Sequence, residues 1–269
     1  MDSREQQIID SWQERARAYQ ELTERWSIFG RLAERLIDLL PSPVEGPLID
    51  LAAGAGLLSA RLLHRHPQAQ VYLVEPAEAM LELAVRRIGR RSIGHARVSA
   101  AELDRVPIRA EAVLCSAAVH LVDETEVFPS VARVLKPGGL FIFNLWWHSW
   151  EPTAHIDPGP RWRALLEQAM AELGEAAALP APSQPRIRTR HGFSRAGQRA
   201  GLDMLHTQTD TDRLPLGFFL DFTAMAPDFL AGLSESRRAV VLRTARARAN
   251  AEVRIQTTRF VLQKRAARL

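Results

Sequence analysis

An acid and two glycines pose the first chemical question. Glu75 closes the apolar run Val71–Val74, while Gly54 and Gly56 lie in the small-residue turn Ala52–Gly56 after the run Leu48–Leu51. Apolar runs without alternation are predicted as buried parallel strands. Between them, Leu57–His66 has helical spacing, with Leu57, Leu58, Leu62 and Leu63 on one face. Strand, small turn, helix, and a second strand ending in an acid make a unit suited to a nucleoside. Small residues let a ligand approach the backbone at a helix N-terminus, and the carboxylate accepts from ribose hydroxyls. The competing reading is an αβ unit with a tight turn and no ligand.

The spacing does not give the G-x-G-x-x-G of a dinucleotide site, nor the Gly-Lys-Ser/Thr of a phosphate loop. DLAAGAG followed by VEPAEAM instead resembles the first two motifs of the class I S-adenosylmethionine (SAM) dependent methyltransferases, usually DxGxGxG and a later acid. Ala52 stands at the first glycine of that pattern. RVLKPGGLFIF at 133–143 extends the similarity, which covers roughly residues 45–145 with the motifs in order. The resemblance implies an α/β, Rossmann-like fold: a mostly parallel seven-stranded sheet flanked by helices, with a helical cap. It also implies SAM as cofactor and S-adenosylhomocysteine as product. The positions it marks for cofactor contact are Asp50, Ala52, Gly54, Gly56, Glu75, Pro76, Met80, Ala101, Glu102, Ser116 and Ala117, with Tyr19 from a leading helix folded over the site. Where the family commonly has Asp-Ala, contacting the adenine amino group, this chain has Ala100–Ala101, so adenine falls to backbone groups or Glu102.

The implied activity is methyl transfer to a small molecule, in bacterial secondary metabolism. A sulfonium makes its methyl carbon electrophilic, so the protein has to align a nucleophile and exclude water. An oxygen or nitrogen nucleophile also loses a proton. His120 and His148 are candidate bases because imidazole titrates near neutrality; a structural place is the other reading of each. Asn144 and Trp146, Trp147 and Trp150 follow the predicted strand Leu140–Leu145 or end it, where α/β sheets place their ligands. The indoles either line a dry pocket that attracts a cation or form a plug beneath an inserted helix. Trp26 and Phe218 complete the expected acceptor side. Two alternatives stay open. One is a SAM-consuming cyclase releasing methylthioadenosine, as in azetidine-2-carboxylate formation, with Asn144 and Ser116–Ala118 holding a folded tail. The other is a catalytically silent SAM-binding protein.

These residues need a frame. Residues 4–40 are predicted as two helices, Ala77–Ile88 as a helix, Ala96–Ser99 as the third strand and Ala112–Ser116 as the fourth. Glu126–Val134 is a predicted helix, with the turn Leu135–Gly139 feeding the fifth strand. Later helices are predicted at Trp162–Leu173, Phe193–Ala200 and Ser234–Asn250, and strands at Leu202–Thr209 and Val253–Lys264. Leu179–Pro185 reads as a proline-rich connector. The expected organisation is an N-terminal helical lid at 1–40, a SAM-binding core at 41–145 and a cap with substrate insertions at 146–252. That third segment includes the late strand near 202–209. Residues 253–269 close the core, and the whole is read as a single domain.

Composition narrows the alternatives. Cys115 is the only cysteine among 269 residues, which excludes an internal disulfide and a cysteine zinc site. The net charge of +4 comes almost wholly from arginine, since Lys136 and Lys264 are the only lysines. CSAAVH after the fourth strand lacks the Asn/Asp-Pro-Pro-aromatic pattern of nucleobase-amine methyltransferases, so no nucleic-acid partner is expected. No metal is expected either. The charged start MDSREQQ and the lack of an 18-residue apolar run point to a cytoplasmic protein with no membrane span. Its expected partner is a small-molecule acceptor, and its expected state monomer or homodimer.

Overall fold

The computed structural model describes residues 3–146, 159–177, 179, 189–226 and 229–266. Seven strands are formed: β1 (Pro47–Leu51), β2 (Gln70–Val74), β3 (Ser92–Ala96), β4 (Ala110–Cys115), β5 (Leu135–Trp146), β6 (Leu202–Pro215) and β7 (Glu252–Lys264). They make one sheet in the order β3-β2-β1-β4-β5-β7-β6. β1 runs parallel to β2 and β4, β2 to β3, and β4 to β5. β6 and β7 are antiparallel, because Gly201 O accepts from Arg265 N while Thr209 bonds Thr258, so rising numbers meet falling ones.

Helices α1 (Ser3–Glu14), α2 (Ala16–Arg25) and α3 (Ile28–Ile37) precede the sheet; α4 (Leu57–Arg65), α5 (Glu78–Ile88) and α6 (Glu124–Val134) connect its parallel strands. Then come α7 (Gly159–Glu172), α8 (Arg190–Arg199), α9 (Leu216–Ala224) and α10 (Glu235–Arg246). None of the described helices is long and apolar enough to cross a membrane.

Burial on both faces explains the unbroken apolar runs. Ile49, Leu51, Val113, Cys115, Phe141 and Phe143 join one core layer with Phe128 of α6 and Phe193 of α8. Their neighbours in sequence, Leu48, Ala112, Leu114 and Ile142, join the other layer with Leu36 of α3, Leu62 of α4 and Ala84 of α5. Side chains alternate between faces along each strand, so both parities must be apolar. Phe143 stacks on Phe260 with centroids 4.8 Å apart. Truncating such a fully buried ring to alanine costs about 3–5 kcal/mol.

Contacts divide the chain into two compact units. Met1–Glu151, Ser183–Thr209 and Thr258–Leu269 make the first; Pro152–Pro182 and Asp210–Thr257 make the second. In the second, Leu166, Met170, Leu220, Phe229 and Val241 cluster from α7, α9, α10 and the α9–α10 connection. Three of its arginines pair with acids: Arg248 with Glu172 at 2.6 Å, and Arg237 and Arg246 with Glu175 and Asp221.

Several predicted elements shift. The leading segment forms three helices, not two, because the chain breaks at Arg15 (φ −97°, ψ 8°) between α1 and α2 as well as at the extended Trp26 (φ −110°, ψ 110°) that ends α2. The third strand is Ser92–Ala96 rather than Ala96–Ser99, and the latter residues lead into a 3-10 turn at Ala100–Arg105. Lys136–Gly139 lies within β5, where the register with β4 shifts between Ala110 and Ala112.

Candidate functional site

The first unit brings the acid and the glycine turn together at the C-terminal end of its parallel strands. Asp50 lies on β1 and is buried. Its Oδ2 accepts from Ser59 Oγ at 2.5 Å and from Ser59 N at 3.2 Å. Ser59 is in the first turn of α4, so the carboxylate satisfies an N–H that the helix leaves open. Burial pushes the Asp50 carboxyl up to about 6, against the lowering effect of both Ser59 bonds. Asp50 thus anchors the helix that follows the turn. Ser59, which sequence reasoning missed, carries a signal in hindsight: a hydroxyl one turn into a helix whose preceding strand holds an acid.

The turn itself is left-handed at three positions. Ala52, Gly54 and Gly56 have φ of 54°, 53° and 76°. For Ala52 this costs about 1–2 kcal/mol relative to the right-handed region. At Gly56 the conformation is joined by a close approach, since a Cβ there would sit 2.8 Å from Ala84 Cα on α5. At Gly54 a Cβ would meet only Tyr19 Cε1 of α2, at 3.6 Å. Gly56 therefore serves helix packing, and Gly54 faces Tyr19 of α2.

Glu75 ends β2 with 6% exposure. Its Oε2 accepts from Gly54 N at 2.9 Å and its Oε1 from Ala77 N at 3.0 Å. Burial pushes this carboxyl up to about 7; the two N–H groups pull it down and Asp50 adds to the rise. Tyr19 stands close by, its hydroxyl pushed up to about 12, first by burial and then by Glu75. Met80 and Ala77 pack with Ala16, Ala55, Trp12 and Tyr19. Two polar ties fasten this cover to α5: Gln13 Oε1 accepts from Ala79 N at 2.9 Å, and Arg87 pairs with Glu24 at 3.0 Å. An edge-to-face file of rings runs onward from Trp12 through Tyr19 and Phe29 to Trp146, with centroid separations of 5.2, 5.7 and 5.9 Å.

Past β4 the chain turns at Ser116–Ala118. Ala117 is left-handed (φ 55°), and its N–H donates to Asn144 Oδ1 on β5 at 2.6 Å. His120 is buried in the short helical turn Val119–Leu121 that follows.

Residues 48–139 match the model of a family described as methyltransferase domain. An uncharacterized methyltransferase of Mycobacterium tuberculosis is 33% identical over 106 residues, 38% of this chain and 41% of that protein. The alignment thus spans about two-fifths of the relative's length. In fold, a candidate methyltransferase of Bacillus halodurans superposes with a TM-score of 0.58 at 14% identity, covering 87% of this chain and 99% of the other. Geranyl diphosphate C-methyltransferase of Streptomyces coelicolor, solved with S-adenosylhomocysteine, gives 0.51 at 16% identity, covering 87% and 79%. Over residues 48–139 the chain is thus similar to methyltransferase domains, and it shares the Rossmann-like fold of the solved methyltransferases.

The structure gathers Tyr19, Asp50, Ala52, Gly54, Gly56, Glu75, Pro76 and Met80 around the β1 and β2 ends. Ser116, Ala117 and Asn144 meet beside them at β4 and β5. Ala101 and Glu102 lie farther along, on the 3-10 turn after β3. There Glu102 closes a capping box with Ser99 and pairs with Arg105 at 2.7 Å. Trp146 is 5% exposed and packs edge-on against Phe29. Trp26 is half-buried at the end of α2. Phe218 belongs to the second unit, buried on α9 against Phe219. Trp147, His148 and Trp150 lie outside the described residues.

Proposed function

We propose that this chain is a SAM-dependent methyltransferase acting on a small-molecule acceptor in bacterial secondary metabolism. The observation that carries the reading is the buried Glu75 carboxylate at the end of β2, bonded to the left-handed Gly54 of the turn before α4. A carboxylate offers about four lone-pair sites. Gly54 and Ala77 take one each, which leaves acceptors for the two hydroxyls of a ribose.

When bound, SAM supplies a methyl carbon made electrophilic by its sulfonium. The chain's own residues hold and shield. Glu75 orients the ribose, the Ala52–Gly56 turn lets the ligand lie against backbone, and α1 and α2 exclude water above it. His120, on the turn after β4, takes the proton of an oxygen or nitrogen nucleophile in this reading. Trp26 and Trp146 form part of the acceptor side. The same reading has the enzyme cytoplasmic, a monomer or homodimer, without a nucleic-acid partner; the pairing of Arg237, Arg246 and Arg248 with acids supports the last point.

The test is the identity of the sulfur-containing product. Purified protein is incubated with SAM alone and with SAM plus cell extract, and both thioethers are followed by mass spectrometry. S-adenosylhomocysteine that forms on adding extract is the expected result. Methylthioadenosine forming from SAM alone, above the spontaneous rate, would replace methyl transfer by intramolecular cyclisation.

A further inference from the structure

Asn144 is completely buried two residues before the end of β5. Its Oδ1 is committed to the N–H of Ala117 at 2.6 Å, which fixes the orientation of the amide. Nδ2 is therefore the other group, and it is buried with no hydrogen-bond partner among the described residues. Buried amide donors are nearly always satisfied, and one left open beside a strained backbone residue marks a place where a ligand supplies the acceptor. Ala117 is that strained residue, and it and Ser116 are only half-buried, so the turn borders accessible space.

The chemistry of the missing partner follows from the atom. An N–H donor selects an oxygen and offers nothing to an ammonium group. Its position narrows the choice further. β4 and β1 lie between Asn144 on β5 and Glu75 on β2, and the amide leans back toward β4 to reach Ala117. Two to three strand spacings, roughly 10–14 Å, thus separate it from the ribose acid. This is the reach of the amino-acid tail of SAM when its ribose lies on Glu75. We propose that Asn144 is a cofactor-binding residue whose Nδ2 donates to the α-carboxylate of SAM and S-adenosylhomocysteine, while its Oδ1 fixes the Ser116–Ala118 turn. This rests on the reading of the site as a SAM site.

The test uses two ligands that differ only in the carboxylate: S-adenosylhomocysteine and its decarboxylated analogue, S-adenosyl-3-thiopropylamine. Asn144→Asp keeps an acceptor for Ala117 N and exchanges the donor for an oxygen. Titration calorimetry on this variant is expected to show at least a tenfold loss of affinity for S-adenosylhomocysteine and less than a threefold change for the analogue. Asn144→Ser, with folding checked by circular dichroism and thermal denaturation, is expected to show the same preference in its losses. Equal losses for both ligands would leave Asn144 a role in the turn alone and overturn the proposal. Unchanged affinity for both would overturn it too, and would assign the amide to an oxygen of the acceptor. Wild-type protein that binds neither ligand would overturn the SAM reading itself, a result distinct from either.

Discussion

Glu75 Oε2 accepts the backbone N–H of Gly54 at 2.9 Å, joining two motifs that lie 21 residues apart in the chain. The acid at the end of β2 is therefore part of the turn after β1, not a separate ligand group beside it. Whatever changes the charge of Glu75 also changes the turn.

Binding of S-adenosylhomocysteine should strengthen as pH rises from 6 to 8. Ribose hydroxyls bond better to an ionised carboxylate than to a neutral carboxyl, and Glu75 titrates at about 7 in the ligand-free protein. Glu75→Ala should cost about 2–4 kcal/mol of binding at pH 8 and abolish this pH dependence. Calorimetric titration across the pH range measures both effects.

The ligand-free protein should lose stability over a neighbouring window. Asp50 and Glu75 have folded values of about 6 and about 7, above their ordinary 3.8 and 4.5. Groups raised in this way contribute stability that is fully present below the ordinary values and is lost as pH rises through the folded ones. Urea denaturation should therefore show stability falling between about pH 4 and pH 7, and the fall should be smaller in Glu75→Gln. A rise over that window in the wild type would contradict the burial account.

Ala52→Gly should stabilise the fold. Relief of the left-handed strain at φ 54° is worth about 1–2 kcal/mol. The greater freedom of glycine in the unfolded chain removes roughly 0.4–1 kcal/mol of that, for a net gain of about 0.5–1 kcal/mol. Denaturant midpoints at constant slope would measure the gain.

Two glycines of the same turn should fail differently. Gly56→Ala places a Cβ against the backbone of α5 and should lower the thermal midpoint sharply. Gly54→Val adds left-handed strain at φ 53° but a Cβ that meets only the ring of Tyr19, so circular dichroism should report a folded, less stable protein that has lost most of its affinity for S-adenosylhomocysteine. Retained affinity in Gly54→Val would remove this turn from the binding site.

What the sequence disclosed follows the physics of each element. β1, β2, β4 and the second half of β5 were legible because both their faces are buried, which forces continuous apolar runs. β3 was misplaced because it is an edge strand: Ile93 and His95 are exposed, so SIGHA carries no such run. The break at Arg15 was hidden because no proline or glycine marks it. Type and position mark Gly54 and Glu75 in the sequence, but not their direct bond, since a strand pairing decides it. The sequence places Asn144 near the end of β5, yet its open Nδ2 depends on where Ala117 N points, which no spacing reveals. No linker in the sequence separates the two units, because β6 and β7 each run through residues of both.

Cys115 ends β4, the strand between β1 and β5, with 2% exposure and its thiol pushed far up by burial. Since only the thiolate reacts, this side chain is silent toward alkylating reagents while the sheet is closed. The chain thus contains its own clock for opening of the sheet centre. In pulse labelling with iodoacetamide, the rate of modification would report how often β4 parts from its neighbours. Adding S-adenosylhomocysteine should slow that rate in proportion to its binding, without any introduced label.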